Sequence, residues 1–216
     1  VNPLDARFAP LAFDYDRKRA FEEAFDLLPQ LEVTRFVHPP EFSAPFMVED
    51  APVGAMDMTH TWRSIGLTWV PGDELTKGGR GSRRNRHVED EWIWRDDVHA
   101  PYLRELVERL PIERMLCVRL VVLLPGCVGS VHNDDLAGLY YPSGARSVTL
   151  NLASGGAMMR MLHDGEFYDV SDHPAFLFRD DCWHGVPRVE RVRIQMRVNA
   201  FFSQRMAELI GKPVLQ

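Results

Sequence analysis

The chain has 216 residues, 45% of them hydrophobic and 26% charged, the balance of a folded globular protein and not of a disordered or fibrous chain. Its formal net charge of −6 gives no reason to expect nucleic acid as a partner. No apolar run reaches the roughly 18 residues that a membrane span needs, so no membrane partner is expected either. Val1-Asn-Pro-Leu-Asp5 carries neither the basic nor the apolar part of a secretory leader. Cys117, Cys127 and Cys182 are an odd set without metal-type spacing, which points to a reducing cytoplasm.

Residues 16–29 read as a helix: Phe21, Phe25 and Leu28 recur at helical spacing, and Pro29 ends it. Residues 30–60, rich in proline and acidic side chains, are expected to wrap the core. Trp62–Trp69 alternates like a strand and closes at Pro71-Gly72. Gly78–His87 is a basic, glycine-rich loop. Pro101–Leu110 predicts an amphipathic helix with Leu103, Leu106, Val107 and Leu110 as its apolar stripe.

After Pro111 the pattern changes to strands, predicted over 118–124, 147–152, 157–162, 175–178 and 192–202. Turn signals separate them at Pro125-Gly126, Ser143-Gly144, Ser154-Gly-Gly156, Asp164-Gly165 and Asp180-Asp181. Many short strands with such turns predict a jelly roll of the cupin type, mainly β with flanking helices. The helical part covers about residues 1–110 and the β core about 60–202. With no repeat or linker, the whole of 1–216 is expected to be a single domain.

His132-Asn-Asp134 carries the chemistry. Residues two apart at a strand end share a face, so an imidazole and a carboxylate can reach one metal ion. With His184 downstream, two histidines and one carboxylate make the donor set of non-haem Fe(II) oxygenases, which leaves metal positions open for a cosubstrate and O2. His184 itself reads as a turn residue.

The last strand separates two faces. Val192, Ile194, Met196 and Val198 point one way, and Arg191, Arg193, Gln195 and Arg197 the other. Either the polar face lines a cavity or it is the solvated outside of the sheet. If it is buried, a guanidinium there needs an anion, and the distal carboxylate of 2-oxoglutarate suits its planar fork. Arg193 is the first candidate; Arg191 and Arg197 share its face.

Leu124-Pro-Gly-Cys-Val-Gly-Ser-Val-His-Asn-Asp134 resembles the corresponding segment of the aspartyl/asparaginyl β-hydroxylase family, which includes proline cis-hydroxylases. Trp62–Leu67, Pro101–Leu103, Phe178–His184 and Arg193–Asn199 resemble further family segments in the right order, over about residues 60–200. The resemblance implies a double-stranded β-helix that uses Fe(II), 2-oxoglutarate and O2. It implies His132, Asp134 and His184 as iron ligands and Arg193 as the anchor of 2-oxoglutarate. Arg146 matches an arginine of the family's R-x-H strand, where it contacts substrate or cosubstrate. Val148 stands where the family has its cosubstrate-binding histidine, so either Arg119 or Ser64 compensates or the cosubstrate is held differently. Tyr140 and Tyr141 would border the substrate.

The expected activity is hydroxylation of an amino acid, or of an amino-acid-derived small molecule or peptide, bearing a carboxylate. Two other classes compete: a cupin-like metal enzyme (dioxygenase or isomerase) that does not use 2-oxoglutarate, and a non-enzymatic sensor of a small acid.

Overall fold

The computed structural model describes residues 3–33, 63–77, 90–132, 144–156, 159–170, 173–179 and 182–211. In chain order its elements are β1 (Phe8–Pro10), α1 (Arg17–Asp26), β2 (Glu32–Val33), β3 (Arg63–Gly66), β4 (Thr68–Trp69), α2 (Glu74–Lys77), β5 (Ile93–Trp94) and α3 (Pro101–Glu108). The β core follows with β6 (Ile112–Leu123), β7 (Gly129–His132), β8 (Arg146–Ser154), β9 (Arg160–His163), β10 (Glu166–Asp169), β11 (Ala175–Phe178), β12 (His184–Val186) and β13 (Arg193–Phe202).

One sheet has seven strands in the order β1-β11-β8-β13-β6-β3-β2, and a second has four in the order β10-β9-β12-β7; β4 and β5 form a separate ribbon. From β6 to β13 the chain alternates between the two: β6, β8, β11 and β13 lie in the large sheet, and β7, the β9–β10 hairpin and β12 in the small one. This is the jelly-roll winding of a double-stranded β-helix, mainly β with flanking helices. The sheets meet through Met161 of β9, which packs with Phe176 and Phe178 of β11 and with Phe8, Met159, Val170 and Cys182.

Strand alternation sorts the large sheet into two faces. Val118, Leu120 and Val122 of β6, Val148, Leu150 and Leu152 of β8, and Ile194, Met196 and Val198 of β13 join one cluster with Leu103, Leu106 and Val107 of α3 and Ala20 and Ala24 of α1. Each fully buried leucine in that layer contributes roughly 1.5–3 kcal/mol. The helices lock each other there. The Glu23 carboxylate accepts from the Tyr102 and Leu103 amides at 3.0 and 2.6 Å, capping the start of α3 from outside its own chain segment. The Tyr102 hydroxyl in turn accepts from the Asp16 amide at 2.8 Å, and Asp16 caps α1 through the Arg19 amide.

Several expectations shift. α1 stops at Asp26, and Pro29 sits in a following 3-10 turn, Leu28–Gln30. Its buried face is Ala20 and Ala24, while Phe25 is 48% exposed; the small residues allow the helix to approach the sheet closely, which rotates the phenylalanine stripe toward the rim. The stretch read as one strand from Trp62 breaks into β3 and β4 after Gly66. A side chain at Gly66 would meet the Thr76 carbonyl oxygen at 2.5 Å, so only glycine lets α2 close over the break. The Asp164-Gly165 signal is a two-residue hairpin with both residues at positive φ, joining β9 to β10. Trp62, Ala157, Asp180, Asp181, the basic loop 78–87 and most of 30–60 lie outside the described residues. No helix among the described residues is long and apolar enough to cross a membrane.

Candidate metal centre and anion-binding face

His184 opens strand β12; it does not sit in a turn as the sequence suggested. Its register partners are His132 on β7 and Met161 on β9. Register partners occupy one face, so positions 132 and 184 stand opposite one another on the face from which Met161 packs against the large sheet. β12 was hidden in the sequence because its three residues, His-Gly-Val, are too short for any period to show.

The His184 imidazole is buried and lies edge-on to the Phe178 ring, 5.2 Å between centroids. Its Nδ1 is 2.8 Å from the Cys182 carbonyl oxygen. A carbonyl oxygen only accepts, so Nδ1 carries the proton and Nε2 presents its lone pair. That is the tautomer and the outer hydrogen bond that a metal-ligating histidine uses. The observed donor chemistry therefore fits a metal ion at His184. Asp134, Tyr140, Tyr141 and the His132 side chain lie outside the described residues, and among the described residues no three His, Cys, Asp or Glu side chains cluster as a metal site.

The sequence left open whether the polar face of the last strand is wet or buried. It is buried: Arg193, Gln195, Arg197 and Asn199 all lie in the core. They oppose the helix-facing Ile194, Met196 and Val198, and so look toward the small sheet. Arg191, which shares their parity, is exposed beyond the strand end. Ser64 of β3 and Arg119 of β6 join the same inner face and are buried there, so the structure brings Ser64, Arg119, Arg193 and Arg197 onto one surface.

Arg193 is 1% exposed, and its Nη1 donates to the Ser154 carbonyl oxygen at 3.0 Å. Burial pulls its guanidinium down to about 10, so it remains a cation at neutral pH at a desolvation cost. Gly155, at φ +67°, shapes its surroundings: a Cβ there would stand 2.7 Å from both the Arg191 carbonyl oxygen and the Arg193 Cβ.

Arg146 takes a different place from the one expected. It has the parity of Val148 and Leu150, whose side chains pack under the helices, and its register partner Ala200 belongs to that same layer. Its guanidinium donates to the Leu4 carbonyl oxygen at 2.8 Å and pairs with Asp5 at 2.6 Å. The R-x-H parity therefore points away from the inner face. Val148, likewise, removes nothing from that face. The β8 residues that do look inward are Ser147, Thr149 and Asn151, all buried. Ser147 is hydrogen-bonded to its register partner Asn199.

Sequence reasoning missed these three. The alternation Ser147-Val-Thr-Leu-Asn-Leu152 was the available signal for them. Phe178 opens the family-like segment Phe178–His184 of the sequence, and the structure sets its ring beside His184 and 4.8 Å from the Arg197 guanidinium.

No family model matches the chain and no curated protein matches it, so the aspartyl/asparaginyl β-hydroxylase resemblance stays a reading of motifs. Among solved structures, the chain is similar to a Pseudomonas putida prolyl-4-hydroxylase at 16% identity, covering 92% of this chain and 94% of that one with a TM-score of 0.45. A Trichoplax adhaerens prolyl hydroxylase in complex with a hypoxia inducible factor peptide is 12% identical over 94% of this chain and 87% of its own, with a TM-score of 0.47. The non-heme alpha ketoglutarate dependent epimerase SnoN from nogalamycin biosynthesis is 12% identical over 92% and 78%, with a TM-score of 0.48. These are distant likenesses of shape, and they assign no residue a role.

Proposed function

We propose that this chain is an Fe(II)- and 2-oxoglutarate-dependent hydroxylase of a carboxylate-bearing amino acid, or of an amino-acid-derived small molecule or peptide. The observation that carries the reading is the pairing of His132 with His184 on the small sheet, opposite a large-sheet face that buries Arg193. His132, Asp134 and His184 would hold the metal. Iron bound there supplies the redox chemistry that turns O2 against a substrate C–H bond.

The protein's own work is to bind, orient and keep water out. The Cys182 carbonyl holds the His184 ring in one tautomer and one direction. Arg193 would take the distal carboxylate of 2-oxoglutarate with its fork, since a buried guanidinium and a carboxylate make a strong and specific bidentate pair. Ser64 lies on the same face to assist. Phe8, Met161, Phe176 and Phe178 form an apolar wall that excludes water where the sheets meet. Tyr140 and Tyr141 would border the substrate. A single domain over 1–216 and a cytoplasmic location, read from the odd cysteine count, belong to the same proposal.

The test is a screen of free amino acids and short peptides with Fe(II), 2-oxoglutarate and O2, read by mass spectrometry for products with one added oxygen. Succinate should form in step with product. Product formed without 2-oxoglutarate would move the chain to another class of metal enzyme. Binding of small acids with no 2-oxoglutarate turnover at all would make it a sensor.

A further inference from the structure

One register row of the large sheet is chemically unlike its neighbours. Arg197 of β13 is partnered with Arg119 of β6 on one side and with Thr149 of β8 on the other. Register partners share a face, and all three residues are buried. Arginines at directly opposed positions put two like charges on one buried face, where an anion that both can reach interacts favourably with each. Burial raises the Cys117 thiol, while the charges of Arg119 and Arg197 pull it the other way.

The row is aimed at the candidate metal centre. The Arg197 guanidinium and the His184 imidazole are both neighbours of the Phe178 ring. Thr149, 1% exposed, has a hydroxyl with no hydrogen-bond partner among the described residues, and the Gln195 Nε2, one step along β13, is in the same condition. Buried polar atoms of this kind mark a place where a ligand supplies the missing partner. Arg193 belongs to a different position: four residues along one strand separate it from Arg197, roughly 13 Å at the usual rise.

We propose that Arg119, Arg197 and Thr149 form a second anion subsite, separate from the Arg193 position, that holds a carboxylate of the substrate. The two forks supply charge-assisted donors and the threonine hydroxyl a third donor. The subsite takes the role that motif resemblance assigned to Arg146. It rests on the hydroxylase reading for the word substrate, but its anion chemistry can be tested without turnover.

Acetate is the probe and acetamide its neutral control, added to protein loaded with redox-silent Mn(II) and saturated with 2-oxoglutarate. Acetate, and not acetamide, should raise the melting temperature by about 3–6 °C at a tenfold excess over its Kd. Arg197→Gln and Arg119→Gln should each abolish that increment and keep the one caused by 2-oxoglutarate. Thr149→Val should weaken acetate about fivefold, the worth of one hydrogen bond. Arg193→Gln should do the reverse, losing the 2-oxoglutarate increment and keeping that of acetate.

If Arg197→Gln does not fold, Arg197→Lys keeps the charge without the fork and should weaken acetate at least tenfold. An acetate increment that is missing in the wild type, survives in the Arg197 variants, or vanishes on saturation with 2-oxoglutarate overturns the subsite. An increment that depends on Arg197 in a protein that never binds 2-oxoglutarate keeps the subsite and removes the hydroxylase reading.

Discussion

His184 and His132 are direct partners across the ladder between β12 and β7. Opposed residues of an antiparallel pair have Cα atoms roughly 4.5–5.5 Å apart, so two imidazole-bearing positions converge on one small volume without help from any loop. A metal bound at these two positions would be held by the sheet's own hydrogen bonds.

That relationship predicts the first set of variants. His132→Ala, Asp134→Ala and His184→Ala should each weaken Fe(II) binding by more than the roughly 10–100-fold that loss of an outer-sphere partner produces. Anaerobic titration calorimetry measures the affinity. Circular dichroism should match the wild type, because the small sheet is held by backbone bonds. Unchanged Fe(II) affinity in His184→Ala would place the metal elsewhere.

Arg193 supports a prediction with two signs. Burial lowers its pKa to about 10, below that of a free guanidinium, so the charged form is disfavoured by folding. The penalty is fully present below about pH 10 and fades as pH rises beyond it toward the ordinary guanidinium range. Arg193→Met should therefore melt no lower than the wild type in the absence of ligand at pH 7. It should also lose the stabilisation by 2-oxoglutarate, which for the wild type at a hundredfold excess over Kd is about 2.7 kcal/mol. Arg193→Lys should fall between, since an ammonium cannot make the fork. A wild-type response to 2-oxoglutarate in Arg193→Met would remove Arg193 from cosubstrate binding.

Gly155 and Gly165 make a controlled pair. Both have positive φ, but a Cβ at Gly165 meets nothing within 4 Å, whereas one at Gly155 strikes Arg193 and the Arg191 carbonyl. Gly165→Ala should cost only the backbone strain, roughly 1–2 kcal/mol, with no change in 2-oxoglutarate affinity. Gly155→Ala should cost more and should also weaken 2-oxoglutarate. Denaturant midpoints and ligand titrations on both variants measure this; equal effects would mean that Arg193 does not depend on the Gly155 turn.

Arg146→Ala should leave substrate-coupled succinate formation close to wild type, because its guanidinium is engaged by Asp5 and the Leu4 carbonyl under the helical layer. Asp5 is half exposed, so losing the pair costs about 1 kcal/mol or less. A variant that folds normally but loses coupled turnover would return Arg146 to the substrate site.

The sequence by itself determined the features that depend on local period. The α3 stripe, strand β11, the alternation of β13 and the turn at Asp164-Gly165 are each written within a dozen residues, and the structure repeats them. The candidate ligands His132, Asp134 and His184 were legible as residue types in order. Only the tertiary structure decided which side of each strand is the inside. A period of two divides β8 and β13 into two faces without saying which one the helices cover, and that choice depends on pairing with β6 and on α1 and α3 arriving from far along the chain. Taking Arg146 and Val148 as the inward pair reversed that choice in β8, where Ser147, Thr149 and Asn151 face the centre. The meeting of Arg119 with Arg197, and of both His184 and Arg197 with Phe178, is set by register between strands distant in sequence, which no local pattern encodes.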